Sequence, residues 1–154
     1  MRKLLITALL STVTAVAQPA HPSHPIDKLV DHNRVLIVFA ADSASPLFRR
    51  QLDLLEPHNV DMADRDLVLI PVVATWRHAD RHRRSRTAIF TSPAEQAYLR
   101  ERFKVRHANF TVILIGKDGG EKLRSRSVLP YERLASTIDS MPMRQQEMKS
   151  PRHH

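Results

Sequence analysis

The densest concentration of reactive side chains is Arg77-His78-Ala79-Asp80-Arg81-His82-Arg83-Arg84-Ser85-Arg86, with five arginines and two histidines in ten residues. Guanidinium groups this crowded repel one another unless water or anions separate them. Arg77, Arg81, Arg83, Arg84 and Arg86 therefore form a candidate anion-binding set, each able to fork two hydrogen bonds to a phosphate or carboxylate. The same composition also fits a solvated surface loop. His78 and His82 are four residues apart, a spacing that puts two imidazoles on one helical face as metal ligands require. Asp80 would not share that face and the neighbouring arginines repel a cation, so ordinary surface histidines are the competing reading. Ser43 and Ser45 precede an apolar helical pattern, where a hydroxyl can serve as nucleophile only if a base is held beside it by a third group. No G-x-S-x-G elbow is present. A thiol-independent hydrolase or metal-dependent enzyme would have to be assembled from Ser45, His78, His82 and His107. These patterns assign no catalytic residue, no metal ligand and no cofactor.

One chemistry is closed outright. The 154-residue chain contains no cysteine, which rules out thiol redox exchange, cysteine nucleophiles and thiolate metal sites. The rest of the composition, 42% hydrophobic and 26% charged, is that of a single globular domain. Only three glycines accompany ten prolines, too few for Gly-rich phosphate loops.

The N-terminus reads as a secretory signal peptide over residues 1–17. Arg2 and Lys3 precede an uncharged run from Leu4 to Ala17, and Ala15-Val16-Ala17 supplies small residues for cleavage between Ala17 and Gln18. The apolar run is shorter than the ~20 residues of a membrane span, which sets the reading against an uncleaved anchor. Export to the periplasm or the exterior is therefore expected. Removal of the leader takes away two cations and no anion, so the formal charge falls from +8 to +6. Such a field favours acidic partners in the envelope or outside the cell, an anionic glycan or lipid head group, with nucleic acid not expected there.

Residues 18–33 hold three prolines and three histidines and read as an extended lead-in, docking through Leu29 and Val30. Arg34 to Ala41 is a continuous apolar run suited to a strand buried on both faces. Asp42 to Ser45 breaks it, Ser45 reads as an N-cap and Pro46 as the first helical residue. Leu47, Phe48, Leu52 and Leu55 follow at helical spacing until Pro57 and Asn59. A second apolar strand covers Leu67 to Ala74, and Pro71 within it demands an edge or a bulge. Trp76 is expected to pack at its end, with an exposed contact role as the alternative. Ser92-Pro93-Ala94-Glu95 forms a capping box opening a helix to about Phe103, with Ala97, Tyr98 and Phe103 inward. Phe110 to Ile115 is a third strand, Lys117-Asp118-Gly119-Gly120 a hairpin turn, and Glu121 to Arg126 a fourth strand. Pro130 opens a last helix with Leu134, Ala135 and Ile138 inward, which Pro142 stops or restarts.

After the lead-in the order is β-α-β-α-β-β-α, that of a minimal thioredoxin fold: a four-stranded mixed sheet with helices on both faces. The expected domain is residues 34–141, and residues 142–154 are expected to be a basic C-terminal tail. Phe39-Ala40-Ala41-Asp42 resembles the strand end before a thioredoxin active-site loop. Counting on from Phe39, the CxxC positions fall on Ala44-Ser45-Pro46-Leu47, with the inner proline present and both thiols absent. His107 to Thr111 also lacks the proline that thioredoxins carry before the third strand.

The C-terminal third is more specific. LIGKDGGEKLRSRSVLP (Leu114 to Pro130) and IDSMPMRQQEM (Ile138 to Met148) closely resemble the family called domain of unknown function 4174, with the likeness running from about residue 26 to 148. The motif residues are Gly116, Lys117, Asp118, Gly119, Met141, Pro142, Met143, Arg144, Glu147 and Met148. The resemblance implies a thioredoxin- or peroxiredoxin-like fold in an exported protein and no particular activity. Met141 to Met148 reads as a helix end packed on the sheet with methionines filling gaps, or as an adaptable partner-binding patch. The function expected from the whole is a non-catalytic exported binding module. Its recognition surface would be the loop Asp42, Ser43, Ala44, Ser45 and Pro46 with the arginine-rich segment.

Overall fold

A computed structural model describes residues 24–76 and 88–150. The leader, the arginine-rich segment 77–86 and the last four residues lie outside the described residues. In chain order the elements are α1 (Pro25–Val30), β1 (Arg34–Asp42), α2 (Pro46–Leu55), a 3-10 turn (Glu56–His58), α3 (Asn59–Asp64), β2 (Leu67–Thr75), α4 (Pro93–Arg102), β3 (Thr111–Ile115), β4 (Glu121–Ser125), α5 (Tyr131–Asp139) and α6 (Pro142–Lys149).

The sheet order is β2-β1-β3-β4, with β1 and β2 parallel and both remaining pairs antiparallel. Alternate residues of β1 feed two apolar layers, because successive side chains in a strand point to opposite faces. Leu36, Val38 and Ala40 pack with Phe48, Leu52 and Leu55 of α2, Met62 of α3, and Leu134 and Ile138 of α5. Val35, Ile37 and Phe39 pack with Ile26 and Val30 of α1, with Leu99 of α4 and with Phe103, which follows that helix. Helices thus cover both faces of a thioredoxin-like α/β fold. Pro71 lies on β2, an outer strand of the sheet, which is where a residue without an N–H is tolerated.

Several expectations change. The stretch Pro25–Val30 is helical, not extended: Asp27 accepts a hydrogen bond from the His24 amide at 3.1 Å, and Ile26 and Val30 are buried against the sheet. A second short helix, Asn59–Asp64, follows the 3-10 turn where only a stop was expected. In α4 Glu95 and Leu99 are buried and Ala97 is exposed, while Tyr98 and Phe103 pack inward as expected. Half of the capping box forms, with the Ser92 hydroxyl accepting from the Glu95 amide at 3.2 Å. The Glu95 carboxylate turns instead to His24 Nδ1 at 3.2 Å, where the imidazole stacks on Tyr98 and ties α1 to α4. Pro142–Lys149 is a helix docked on the domain and not a free tail, because Arg144 is only 5% exposed.

The hairpin turn forms as expected, and Gly119 sits there at φ +75°. An added Cβ would meet Val30 only at ordinary contact distance, so the cost of Gly119→Ala comes from its backbone angle. That cost is expected to be about 1–2 kcal/mol in urea unfolding. A change below about 0.3 kcal/mol would mean the turn relaxes to another type.

Candidate functional site

Parallel pairing fixes where the candidate loop lies. Asp42 and Thr75 are register partners at the C-terminal ends of β1 and β2, and the Ser43 amide donates to the Thr75 carbonyl at 3.0 Å. The Asp42–Pro46 loop and the chain that enters the arginine-rich segment therefore leave the sheet at the same end. Asp42 builds the loop: its Oδ1 accepts from the Ala44 amide at 2.7 Å and its carbonyl from the Ser45 amide at 3.2 Å. Ser45 occupies the N-cap position of α2, but its hydroxyl makes no capping bond, since the Asp42 side chain already organises the turn. Ser43 is fully buried and its carbonyl accepts from Arg49 Nε at 3.3 Å.

Two further features mark this end, Arg100, which the sequence did not single out, and Trp76, which it did. Arg100 of α4 donates to the Ala40 carbonyl at 2.7 Å and the Val72 carbonyl at 3.1 Å, with its guanidinium over the Phe39 ring. Burial pushes its pKa down. Its partners among the described residues are backbone carbonyls, so its charge is not matched by a carboxylate there. Trp76 packs edge-on against Phe48 (5.8 Å between centroids) and Phe90 (5.4 Å), closing the end of β2 as expected. His107 is exposed on the connection before β3. His78 and His82 lie outside the described residues, as do Arg77, Arg81, Arg83, Arg84 and Arg86.

The motif residues gather at the opposite end of the sheet. Eight residue steps along β1 separate the two ends, roughly 26 Å at strand rise. Arg34, at the start of β1 and 1% exposed, donates from Nη1 and Nη2 to the two Glu147 oxygens, each at 3.2 Å. Its Nη1 also donates to the Arg65 carbonyl at 2.8 Å, while Nε has no acceptor. Lys117 bridges Glu147 and Asp66 at 2.8 Å each. Asp66 holds this position with φ +48°, a left-handed conformation that a short acidic side chain tolerates. Arg144 pairs with Asp64, with Asp139 at 3.4 Å and with Glu147 at 3.7 Å. Arg65 grips Asp139 through two bonds of 3.0 and 2.7 Å, and this raises the Arg65 pKa.

Lys117, Arg144 and Glu147 of the motif are thus one ionic network joining β1, the β3–β4 hairpin, α3 and α6. A cleft of about 300 Å³ opens beside it, between the hairpin (Gly116 to Lys122) and the α5–α6 junction (Thr137 to Met143). Of the motif methionines, Met141 packs on the core while Met143 and Met148 are exposed at 47% and 53%. Gap filling thus describes Met141 alone. Among the described residues no three His, Asp or Glu side chains cluster as metal ligands. No described helix is long and apolar enough to cross a membrane.

Comparison with known proteins places this architecture. The chain is 25% identical over 123 residues to the sushi repeat-containing protein SRPX of Rattus norvegicus, covering 80% of this chain but only 26% of that relative. Among solved structures it is similar to a thiol:disulfide interchange protein from a Bacteroides species, at 15% identity and TM-score 0.58, covering 81% of this chain and 83% of that one. It is likewise similar to thioredoxin peroxidase I of Plasmodium yoelii, at 12% identity and TM-score 0.57, covering 83% of each chain. At these identities the likeness is one of fold. The model of the domain of unknown function DUF4174 matches residues 25–147, so it spans both halves of the ionic network and the sheet between them. This chain belongs to the DUF4174 family, as a cysteine-free member with a thioredoxin-like fold.

Proposed function

We propose that this protein is an exported, non-catalytic binding module that recognises an anionic partner at the C-terminal end of β1 and β2. The observation that carries the reading is the parallel register of Asp42 and Thr75, from which the thiol-free loop and the arginine-rich segment both depart. Three further features support it. The two positions where thioredoxins place their thiols are Ala44 and Leu47. The start of α2, which no side chain caps, and the cation of Arg100 both favour negative charge at this end. The residues Arg2 to Ala17 carry the pattern of an export signal.

Elution from heparin, an acidic glycan, tests the anion reading. Changing Arg81, Arg83 and Arg84 to Glu lowers the formal charge by six, and so does changing the exposed Lys28, Arg133 and Lys149 to Glu. The first variant is expected to elute at much lower salt than the second, with a shallower dependence on salt. Equal elution of the two variants would mean that net charge alone governs retention, and the site would be abandoned.

A further inference from the structure

The cleft at the motif end lies about 26 Å along the sheet from the Asp42–Pro46 loop, and the two share no residue. Three of the charged side chains that line it are cations, Arg34, Lys117 and Lys122, against one anion, Asp118. Glu147 and Asp66, which pair with Arg34 and Lys117, are not among the residues that line it. Lys117 uses two of its three N–H groups on those carboxylates. Lys122 uses one on Asp118. Donors therefore remain on both ammonium groups among the described residues. The facing wall is Met141, Pro142 and Met143, all apolar, and the flexible thioether side chains of the two methionines adjust to irregular apolar shapes. At about 300 Å³ the space is at the lower end for a ligand pocket.

We propose that this cleft binds a small carboxylate carrying an apolar body, with the carboxylate on Lys117 and Lys122 and the body against Met141, Pro142 and Met143. A charged oxygen pair satisfies the remaining lysine donors with charge-assisted bonds. The methionine wall removes the adjoining apolar group from water. Such a group occurs as a free amphiphilic acid or as the C-terminal residue of a peptide.

Isotope-labelled protein titrated with octanoate, with acetyl-alanyl-leucine as free acid, and with its C-terminal amide distinguishes these cases by NMR. Saturable shifts at Gly116, Lys117, Gly119, Gly120 and the Met143 methyl are expected for at least one of the acids, and the tighter of the two names the source. Lys122→Gln is expected to weaken that acid about tenfold, the loss of one charge-assisted bond. Gly116→Ala provides a second variant outside the ionic network, since its Cβ would stand 2.6 Å from Lys122 Cε and 2.7 Å from Asp118 Oδ1 and push both aside. It too is expected to weaken binding while the remaining spectrum stays folded. Absence of saturable shifts for both acids, or equally tight binding of the amide, would overturn the proposal. Because the readout is confined to the motif end, failure here is separable from failure of the heparin experiment, which reads the arginine-rich end.

Discussion

Replacing Glu147 with glutamine is expected to lower the stability of the fold by about 3 kcal/mol, seen as a fall of roughly 10 °C in the unfolding midpoint. The carboxylate faces three cations, Arg34, Lys117 and Arg144, and two of them are nearly inaccessible to water. An amide of the same shape keeps the packing but removes the counter-charge, leaving Arg34 buried beside a neutral group. The pH dependence follows from the same contacts. Burial alone would raise the Glu147 pKa, but hydrogen bonds from Lys117 and Arg34 outweigh it and hold the group below the usual carboxylate range. A folded-state pKa below the unfolded value of about 4.3 means the contribution is complete above that pH. It is lost as pH falls through the lower folded value. Wild-type stability should therefore drop steeply below about pH 4, and that part of the drop should be absent from Glu147→Gln. Unfolding curves collected from pH 7 to pH 3 make the comparison. Parallel profiles would mean that the pairing with Arg34 and Lys117 contributes nothing.

Gln51→Leu is expected to cost about 2–4 kcal/mol, although the replacement is more apolar and the site is fully buried. Gln51 acts as a substitute strand partner for Leu129: its Nε2 donates to the Leu129 carbonyl at 3.0 Å and its Oε1 accepts from the Leu129 amide at 2.7 Å. Leucine fills the volume but leaves both backbone groups buried without partners, each at a cost of about 1–3 kcal/mol, and its own burial offsets only part of this. Urea midpoints of the two proteins give the difference. A loss under 0.5 kcal/mol would show that water reaches Leu129 when the amide is gone.

What could be read along the chain was local and periodic. The apolar run of β1, the proline of the outer strand β2, Ser92-Pro93 at the start of α4 and Asp118-Gly119 in the hairpin each carry their own signal within a few residues. The helix Pro25–Val30 did not, because six residues are too few to be stable alone. Its order comes from Ile26 and Val30 reaching the sheet and from His24 meeting Glu95, 71 residues away. The buried polar groups were hidden for the same reason. Arg34 finds Glu147 across 113 residues, Arg144 finds Asp64 across 80 and Gln51 finds Leu129 across 78. In sequence each is merely a polar residue beside apolar ones. The family motif did mark Lys117, Arg144 and Glu147, but as a pattern without a role. The fold supplies the role by returning the start of β1 to the hairpin and α6.

Recognition of an anionic partner beside the Asp42–Pro46 loop can be read by cross-linking capture from the native cell envelope. Three proteins are compared: wild type, the Arg81, Arg83 and Arg84 to Glu variant, and the charge-matched Lys28, Arg133 and Lys149 to Glu variant. An anionic species is expected to be captured by wild type and by the matched control and lost with the arginine variant. Identical captures by all three would contradict that expectation and remove the arginine-rich end from recognition.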